Sequence, residues 1–270
     1  MTKRRVTTVF KYAILIIAAV ISVFPLYFMV VSSFNTSVEV VSGKLYPGSN
    51  LLENMRKLFG ETTFLKSFLN SAKYTIVGTF VSVLVCSVAG YGFEVYHDKW
   101  KDRVMFLFLL SIMVPGAATL VPLFTLYSRI GLLNTTLGFI MPSFATAVLV
   151  LLFRQSARSF PSEIVDAARI DGLGEVKIFF TMFVPIMKST FSCGIIISLM
   201  GIWNDYLWGL IIMQQPKMRT LQVFLASLND GYSIDYGLMM LAVTLSTLPL
   251  ALIFFFLQKT FIESVTGSVK

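Results

Sequence analysis

Residues Pro161 to Lys188 read PSEIVDAARIDGLGEVKIFFTMFVPIMK and form the one long polar segment in the second half of an otherwise apolar chain. Ser162 can cap a helix, and Gly172 stands where that helix would end in a left-handed residue. A second short helix is predicted from Glu175 to Phe183, just ahead of Pro185, which suits the first turn of the next helix. The pattern therefore predicts two short helices joined at a glycine elbow.

The residues of this elbow allow two interpretations. A connector would lay an apolar face on the bilayer surface, formed by Ile164, Ile170, Ile178 and Phe179. A docking element would let a partner approach the backbone closely, because Ala167, Ala168 and Gly172 carry little side-chain bulk. Acids at Asp166 and Asp171 would then supply oriented charge. Physical reasoning from the residues alone leaves both interpretations open.

The composition places the chain among proteins that cross a membrane several times. Of its 270 residues, 56% are hydrophobic and 13% are charged, whereas soluble domains average about 25% charged residues. Crossing a hydrocarbon core takes about 20 helical residues. Six apolar stretches are long enough, at 12–34, 68–93, 104–127, 137–153, 186–213 and 236–257. Their length predicts an all-α membrane protein with six transmembrane helices, in one domain over residues 1–270.

Basic residues set the predicted orientation. With the N-terminus inside, 14 Lys and Arg fall on inner segments and 8 on outer segments, as the positive-inside rule requires. An even number of spans then places both termini in the cytoplasm, together with the loop at 154–185 between the fourth and fifth spans. The first span is too long for a cleavable signal peptide, so we expect a signal anchor. The net charge of +8 reflects this topology, and no nucleic-acid partner is expected.

Prolines and glycines predict where the spans bend and touch. Pro115 with Gly116, and then Pro122, predict that the third span is bent or broken, which is tolerated where the backbone is packed in protein or lines a cavity. Gly90 and Gly92 near the end of the second span favour close contact with another helix.

The fifth span carries the polar sequence Trp203-Asn204-Asp205-Tyr206-Leu207-Trp208. An ionisable residue such as Asp205 is costly if it faces lipid, so it should face another helix or a wet cavity. In one interpretation Asn204 and Asp205 simply bond neighbouring helices. In the other, Trp203, Asn204, Asp205 and Trp208 line a substrate pathway, since amides and carboxylates bond hydroxyl groups and aromatic rings stack on sugar faces.

Residue patterns typical of catalysis are missing from the sequence. It contains no GxxxxGK[ST] phosphate loop, no HExxH and no GxSxG, so the chain is predicted to be neither an ATPase nor another enzyme. Cys86 and Cys193 both fall in predicted spans, which predicts neither a disulfide nor a metal site. His97 is expected to be a solvated loop residue. Few ionisable groups lie inside the spans, which weakens the case for an ion-driven carrier.

The elbow resembles a family signature. The pattern Asp166-Ala167-Ala168-x3-Gly172-x9-Met182-x-Val184-Pro185 is similar to the EAA signature of ABC importer permeases, E-A-A-x3-G-x9-I-x-L-P, with the same spacing and three mild departures. The chain also resembles the carbohydrate-uptake branch, the maltose-type inner-membrane permease with six spans. The matching stretches include Phe68-Leu69-Asn70-Ser71, Arg129-Ile130-Gly131-Leu132-Leu133-Asn134 and Trp203-Asn204-Asp205. Ser189 departs from the branch, which often has a second proline there.

The resemblance implies partners that this chain lacks. A family member pairs with a second permease, two cytoplasmic ATPase subunits that bind ATP and Mg, and an extracytoplasmic sugar-binding protein. No cofactor is implied for the permease itself. The 154–185 loop would be the coupling loop, lying in a cleft of one ATPase. The coupling residues implied are Glu163, Asp166, Ala167, Ala168, Arg169, Asp171, Gly172 and Pro185.

The function implied is import of sugars, chiefly oligosaccharides, across the cytoplasmic membrane by alternating access. Two alternatives remain at this stage. The signature is shared by ABC permeases for other solutes such as polyols or glycerol phosphates, and an autonomous ion-driven carrier would need no ATPase at all.

Overall fold

The computed structural model describes residues 2–60, 62–229 and 234–267, and side chains between residues 8 and 258 of these ranges. These residues form helices and no strand, which confirms the all-α prediction. The α-helices are α1 (Thr2–Ser32), α2 (Ser37–Val41), α3 (Leu51–Gly60), α4 (Phe64–Val95), α5 (Lys99–Ile112), α6 (Gly116–Arg129), α7 (Thr136–Ile140), α8 (Ala147–Arg158), α9 (Ser162–Ile170), α10 (Glu175–Ile178), α11 (Val184–Ile186), α12 (Lys188–Trp203), α13 (Leu207–Ile212), α14 (Leu221–Ser227) and α15 (Tyr236–Gly267).

Within the described residues, three helical segments are each long and apolar enough to cross a membrane, namely Thr8–Ser32, Phe64–Val95 and Tyr236–Gln258. Three further candidates are helix pairs bent at a short break. These pairs are α5 with α6, bent by 104°, the Thr136–Ser143 segment with α8, bent by 47°, and Glu175–Ile186 with α12, bent by 87°. If each bent pair crosses as one span the total is six, so the number six stays a prediction.

The predicted break in the third span is confirmed. Helix α5 ends at Ile112, and α6 begins at Gly116, directly after Pro115. A proline disfavours helical backbone in the residue before it, and its fixed φ suits the entry to a new helix. Pro122 lies inside α6 without ending it. Pro142 lies in the short 3-10 turn Met141–Ser143, at the 47° bend before α8.

Two compact units divide the described chain, the first formed by residues 1–65 and 224–249. Its short helix α2 has a complete capping box, in which Thr36 and Glu39 bond each other's backbone. The Lys44 ammonium, 2.6 Å from Glu39, lowers the pKa of that carboxyl to about 2. The Asp235 carboxylate accepts bonds from Ser37 at 2.8 Å and Lys57 at 3.3 Å. Polar bonds of this kind hold the segments of the first unit to one another.

The second unit, residues 66–223 and 250–270, holds the elbow and, among its described residues, three apolar clusters. Helices α4 and α8 meet closely there, because Gly90 has no side chain. A Cβ added at Gly90 would lie 2.6 Å from the Arg154 backbone nitrogen and 2.6 Å from the Phe153 Cβ. A Cβ at Gly92 would meet nothing within 4 Å. Of the two predicted contact glycines, Gly90 makes the close approach.

Arg154 on α8 forms ion pairs with residues of two other helices. Its guanidinium lies 3.2 Å from the Glu94 carboxylate on α4 and 2.7 Å from Asp102 on α5. The Nε2 atom of His97 lies 2.9 Å from the same Asp102. Because the imidazole is also half exposed, it matches the solvated loop residue predicted from the sequence.

Candidate functional site

The elbow is present as two short helices around a glycine. Helix α9 covers Ser162–Ile170, Gly172 has φ +79°, and α10 begins at Glu175. Helical backbone continues from α10 through a π-helical turn at Phe179–Phe183 into α11. The predicted cap at Ser162 is wrong. Ser162 is already the first helical residue and Pro161 holds the cap position without a side-chain bond, because the fixed φ of proline sets the entry angle one residue earlier.

Arg169 fixes the two arms of the elbow to each other. Its Nε lies 2.7 Å from the Glu175 carboxylate across the turn, and its Nη1 lies 3.3 Å from Asp166 one helical turn earlier. Its guanidinium also sits 5.8 Å from the centre of the Tyr96 ring. The hydrogen bond that Arg169 donates to Glu175 raises the pKa of the guanidinium and lowers the pKa of the carboxyl, so both partners are charged at neutral pH.

The apolar face of the elbow is used inside the protein. Ile178 and Phe179 are buried in one cluster with Tyr91 and Phe183, and Ile164 packs against it. Of the four residues proposed to lie on the bilayer, Ile170 alone is strongly exposed, at 86%. The connector interpretation needs all four on one open face, which the described chain does not offer.

The outward face of the elbow carries charged side chains and positions with little side-chain bulk. Ala167 and Gly172 are exposed, and a Cβ added at Gly172 would meet nothing within 4 Å. Ala168 faces the protein and is buried in the apolar cluster, so Ala167 and not Ala168 can contact a partner. The remaining proposed coupling residues are all at least partly exposed on this segment, namely Glu163, Asp166, Arg169, Asp171 and Pro185.

The second candidate segment lies in the break between α12 and α13. Asp205 Oδ1 accepts a bond at 3.1 Å from the backbone N–H of Trp208, in the first turn of α13. The Asn204 amide donates to the Met200 carbonyl at 3.0 Å and lies 3.5 Å from the Gln222 amide. Asn204 is exposed and Asp205 is half-buried, so both side chains can be reached from outside the unit.

The two tryptophans of this segment point into the protein. Trp203 is buried and packs edge-on against Phe68, with ring centres 5.7 Å apart. The Trp208 indole N–H is shared by the carbonyls of Gly138, at 3.3 Å, and Phe139, at 3.1 Å. Both rings therefore hold the segment in place, while Asn204 and Asp205 present its polar groups.

Trp208→Phe is expected to lower stability by about 1–3 kcal/mol, because two buried carbonyls lose their shared donor. The KM for uptake should stay within twofold of wild type, since the ring does not reach the open surface. Thermal unfolding of the detergent-purified chain, alongside transport in cells, measures both. Trp100→Phe is the matched control, because Trp100 is 72% exposed. A changed KM with unchanged unfolding would show that the ring acts on the substrate path and not on stability.

A cleft of about 380 Å³ adjoins this segment and was missed by sequence reasoning. Asp205 lines it together with hydroxyl residues from three separate helical segments, namely Ser82, Ser143, Thr146 and Ser198. Single hydroxyls in apolar spans are too common to signal a site, and only the fold brings these together.

No three of the described His, Cys, Asp and Glu residues lie close enough to hold a metal ion.

The fold of this chain is shared with a solved chain from an ABC transporter. A chain from the crystal structure of a bacterial ABC transporter involved in importing the acidic polysaccharide alginate superposes with a TM-score of 0.85. The match covers 97% of this chain and 98% of that one at 20% sequence identity. At that identity the likeness is one of fold.

Sequence comparison gives the family. Residues 82–267 match the family described as binding-protein-dependent transport system inner membrane component. The chain is 41% identical to the lactose transport system permease protein LacG of Rhizobium radiobacter, over 99% of this chain and 98% of the relative. It is 34% identical to the arabinooligosaccharides transport system permease protein AraQ of Bacillus subtilis (strain 168), over 92% and 90%.

A more distant relative has a phosphorylated solute in its name. The chain is 27% identical to the sn-glycerol-3-phosphate transport system permease protein UgpE of Pectobacterium atrosepticum, over 99% of both chains. The chain belongs to the family of binding-protein-dependent transport system inner membrane components. It is a multi-pass membrane protein and a non-catalytic subunit of its transporter, as the sequence predicted.

Proposed function

We propose that this chain is one of two permease subunits of an ABC importer that moves sugars, chiefly oligosaccharides, into the cell. Two relatives named for lactose and for arabinooligosaccharides are 41% and 34% identical to it over the aligned residues, against 27% for the relative named for glycerol phosphate. The gradient in identity favours a sugar over a phosphorylated solute.

The elbow is the observation that carries coupling to an ATPase. Its apolar face is buried in the protein, Arg169 joins its two arms, and its outer face has little side-chain bulk at Ala167 and Gly172. A rigid element with small side chains can bind in a groove of a partner and move together with that partner. Asp166, Asp171 and Glu163 would orient it there by charge.

Alternating access follows from this coupling. Two cytoplasmic ATPase subunits would bind ATP and Mg, and their closure would move the 154–185 loop as one body. The adjoining spans would then rock between inward-facing and outward-facing states, as seen in transporters that move rigid bundles around a central site. An extracytoplasmic sugar-binding protein would deliver the solute. In this arrangement the chain is a single transmembrane domain over residues 1–270, with both termini in the cytoplasm and no cofactor of its own.

Residues 203–208 remain the proposed border of the substrate path. Asn204 and Asp205 are the side chains that can reach a solute, and Trp203 and Trp208 position them. Amide and carboxylate groups can exchange water for sugar hydroxyls at little cost, which suits a path that must release its solute.

Uptake measurements test the proposed function. Cells lacking this chain but keeping its partner subunits should regain ATP-dependent uptake of labelled lactose or an arabinooligosaccharide when the chain is supplied. The purified chain alone, in liposomes under a proton or sodium gradient, should show no uptake above empty liposomes. Uptake by the chain alone would favour an ion-driven carrier, and restored uptake of glycerol 3-phosphate in place of sugars would favour the other ABC alternative.

A further inference from the structure

The 380 Å³ cleft of the second unit is framed by three segments that are distant in sequence. Ser82 lies in the middle of α4, Thr146 lies in the break before α8, and Ser198 lies on α12 one turn ahead of the Asp205 segment. The bend at Pro142 keeps α7 and α8 from continuing as one straight helix. Irregular backbone at membrane depth is found where it lines a cavity, and the cleft lies at this bend.

Two of the four hydroxyl groups that line the cleft lack a nitrogen or oxygen partner among the described residues, whereas Ser143 donates to the Ile140 carbonyl at 2.6 Å. The oxygen atoms of Ser82 and Ser198 are buried and have no nitrogen or oxygen partner among the described residues. Ser82 has a weak contact with the Cys86 thiol one turn along. By contrast Ser87 and Ser192, on the same two helices, each donate to a carbonyl of their own helix. A buried hydroxyl without a partner costs free energy, and rotation about χ1 lets it meet a ligand in the cleft.

Two further polar groups line the cleft. Thr146 occupies the cap position of α8 without capping it and is half-exposed, and its side chain contacts the Cys86 thiol, as Ser82 does. Asp205 uses one carboxylate oxygen to accept the Trp208 N–H in the first turn of α13, and its second oxygen has no bond to the described residues. Hydroxyls that both donate and accept, beside a carboxylate that accepts, match the hydroxyls of a sugar.

The single carboxylate and the apolar walls of the cleft favour an uncharged ligand over an anion. Asp205 is the one charged residue that lines it among those the structure describes, and the rest of the lining is apolar or hydroxyl-bearing, including Phe139, Pro142 and Ile197. A carboxylate without a basic neighbour repels phosphates and other anions, while apolar walls suit the C–H faces of a ring. A volume of 380 Å³ is at the lower end of the range for small-molecule sites.

We propose that this cleft is a binding subsite for one ring of a neutral sugar, held by Thr146, Ser198 and Asp205, and that it excludes phosphorylated solutes. The inference rests on the proposed sugar import and adds to it a site on this permease itself. It also gives a physical reason why a glycerol phosphate would be a poor substrate for this chain.

Chemical labelling tests whether a sugar enters the cleft. Thr146→Cys is made in a chain whose Cys86 and Cys193 are replaced by Ala, and the assembled importer in membrane vesicles is treated with a small methanethiosulfonate. Lactose should slow the reaction at least fivefold, and glycerol 3-phosphate should leave it unchanged. Thr125→Cys on α6, where Thr125 is exposed and outside the cleft, should react equally with and without sugar.

Transport kinetics provide the second measurement. Ser198→Ala should raise the KM for lactose uptake about fivefold, the loss expected for one hydrogen bond, with kcat little changed. Ser192→Ala on the same helix should leave KM unchanged. The subsite would be overturned if lactose does not protect the thiol of the Thr146→Cys variant, or if that thiol does not react because a lipid or the second permease covers it. Equal protection by glycerol 3-phosphate would overturn it as well.

Different results would contradict the sugar subsite and the proposed sugar import. If the wild-type importer takes up lactose or an arabinooligosaccharide but neither cleft variant responds, the subsite is wrong and sugar import stands. If the importer takes up glycerol 3-phosphate and no neutral sugar, the proposed function fails and the subsite fails with it.

Discussion

Gly172→Asp is expected to abolish solute uptake while the chain still inserts and folds. Gly172 is exposed with φ +79°, and a Cβ there meets nothing within 4 Å, so the new side chain clashes with no atom of the described residues. The left-handed backbone costs a non-glycine residue about 1–2 kcal/mol, which a packed membrane domain can tolerate. In a partner's groove, however, the side chain adds bulk and an unpaired charge.

The size of the effect follows from burying that charge. An unpaired charge in an interface costs roughly 2–5 kcal/mol, and each 1.4 kcal/mol weakens binding about tenfold. Docking of the ATPase should therefore weaken by about 30-fold or more. Labelled-sugar uptake and copurification of the ATPase subunits measure the loss, and the amount of chain in the membrane shows that insertion is normal.

Two other glycines of this chain are matched controls for Gly172→Asp. Gly43 has φ +74° and Gly131 has φ +73°, and a Cβ at either would also meet nothing within 4 Å. Gly43→Asp and Gly131→Asp therefore carry the same backbone cost without touching the elbow, and the ATPase should copurify with both. If Gly172→Asp transports normally, the elbow does not couple transport to ATP.

Gly90→Ala is expected to destabilise the second unit by about 1–3 kcal/mol or more, the usual cost of overpacking a well-packed core. The added Cβ would lie 2.6 Å from the Arg154 nitrogen and 2.8 Å from the Phe153 carbonyl carbon. Since these are backbone atoms, no side-chain rotation relieves the clash, and α4 must move away from α8. That separation would also disturb Arg154 and its bonds to Glu94 and Asp102.

Gly92→Ala, two residues further along the same helix, is the control. It meets nothing within 4 Å and replaces a poor helix former with the best one, which can gain up to about 1 kcal/mol. We expect a lower unfolding temperature and less chain in the membrane for Gly90→Ala, and no loss for Gly92→Ala. Equal behaviour of the two variants would show that the close approach of α4 and α8 does not limit stability.

Local patterns predicted the elbow well in outline and less well in orientation. The two short helices and the left-handed Gly172 follow from residues close in sequence, and both are present. The sequence predicts a cap at Ser162, whereas Pro161 holds that position, because a proline and a serine both suit a helix start and boundaries shift by one residue. The sequence also could not show that Ala168 faces inward while Ala167 faces out.

For residues 203–208 too, the sequence predicted which residues belong to the segment but not which way their side chains face. The sequence singled out Trp203, Asn204, Asp205 and Trp208 as one group, since residue types and spacing were all that could be compared. In the fold the two tryptophans are buried, and Asp205 lies beside hydroxyls more than 50 residues away in sequence. Those hydroxyls carry no sequence signal of their own.

The sequence by itself determined the class of this protein, its apolar helical stretches and the charged elbow, because composition, apolar length and glycine conformation act within a short stretch of chain. The tertiary structure alone decided that Gly90 and not Gly92 meets α8, that Ile178 and Phe179 are covered, and that Thr146, Ser198 and Asp205 line one cleft. Each of those outcomes depends on how helices rotate against one another, and that rotation is set by packing between residues far apart in the chain.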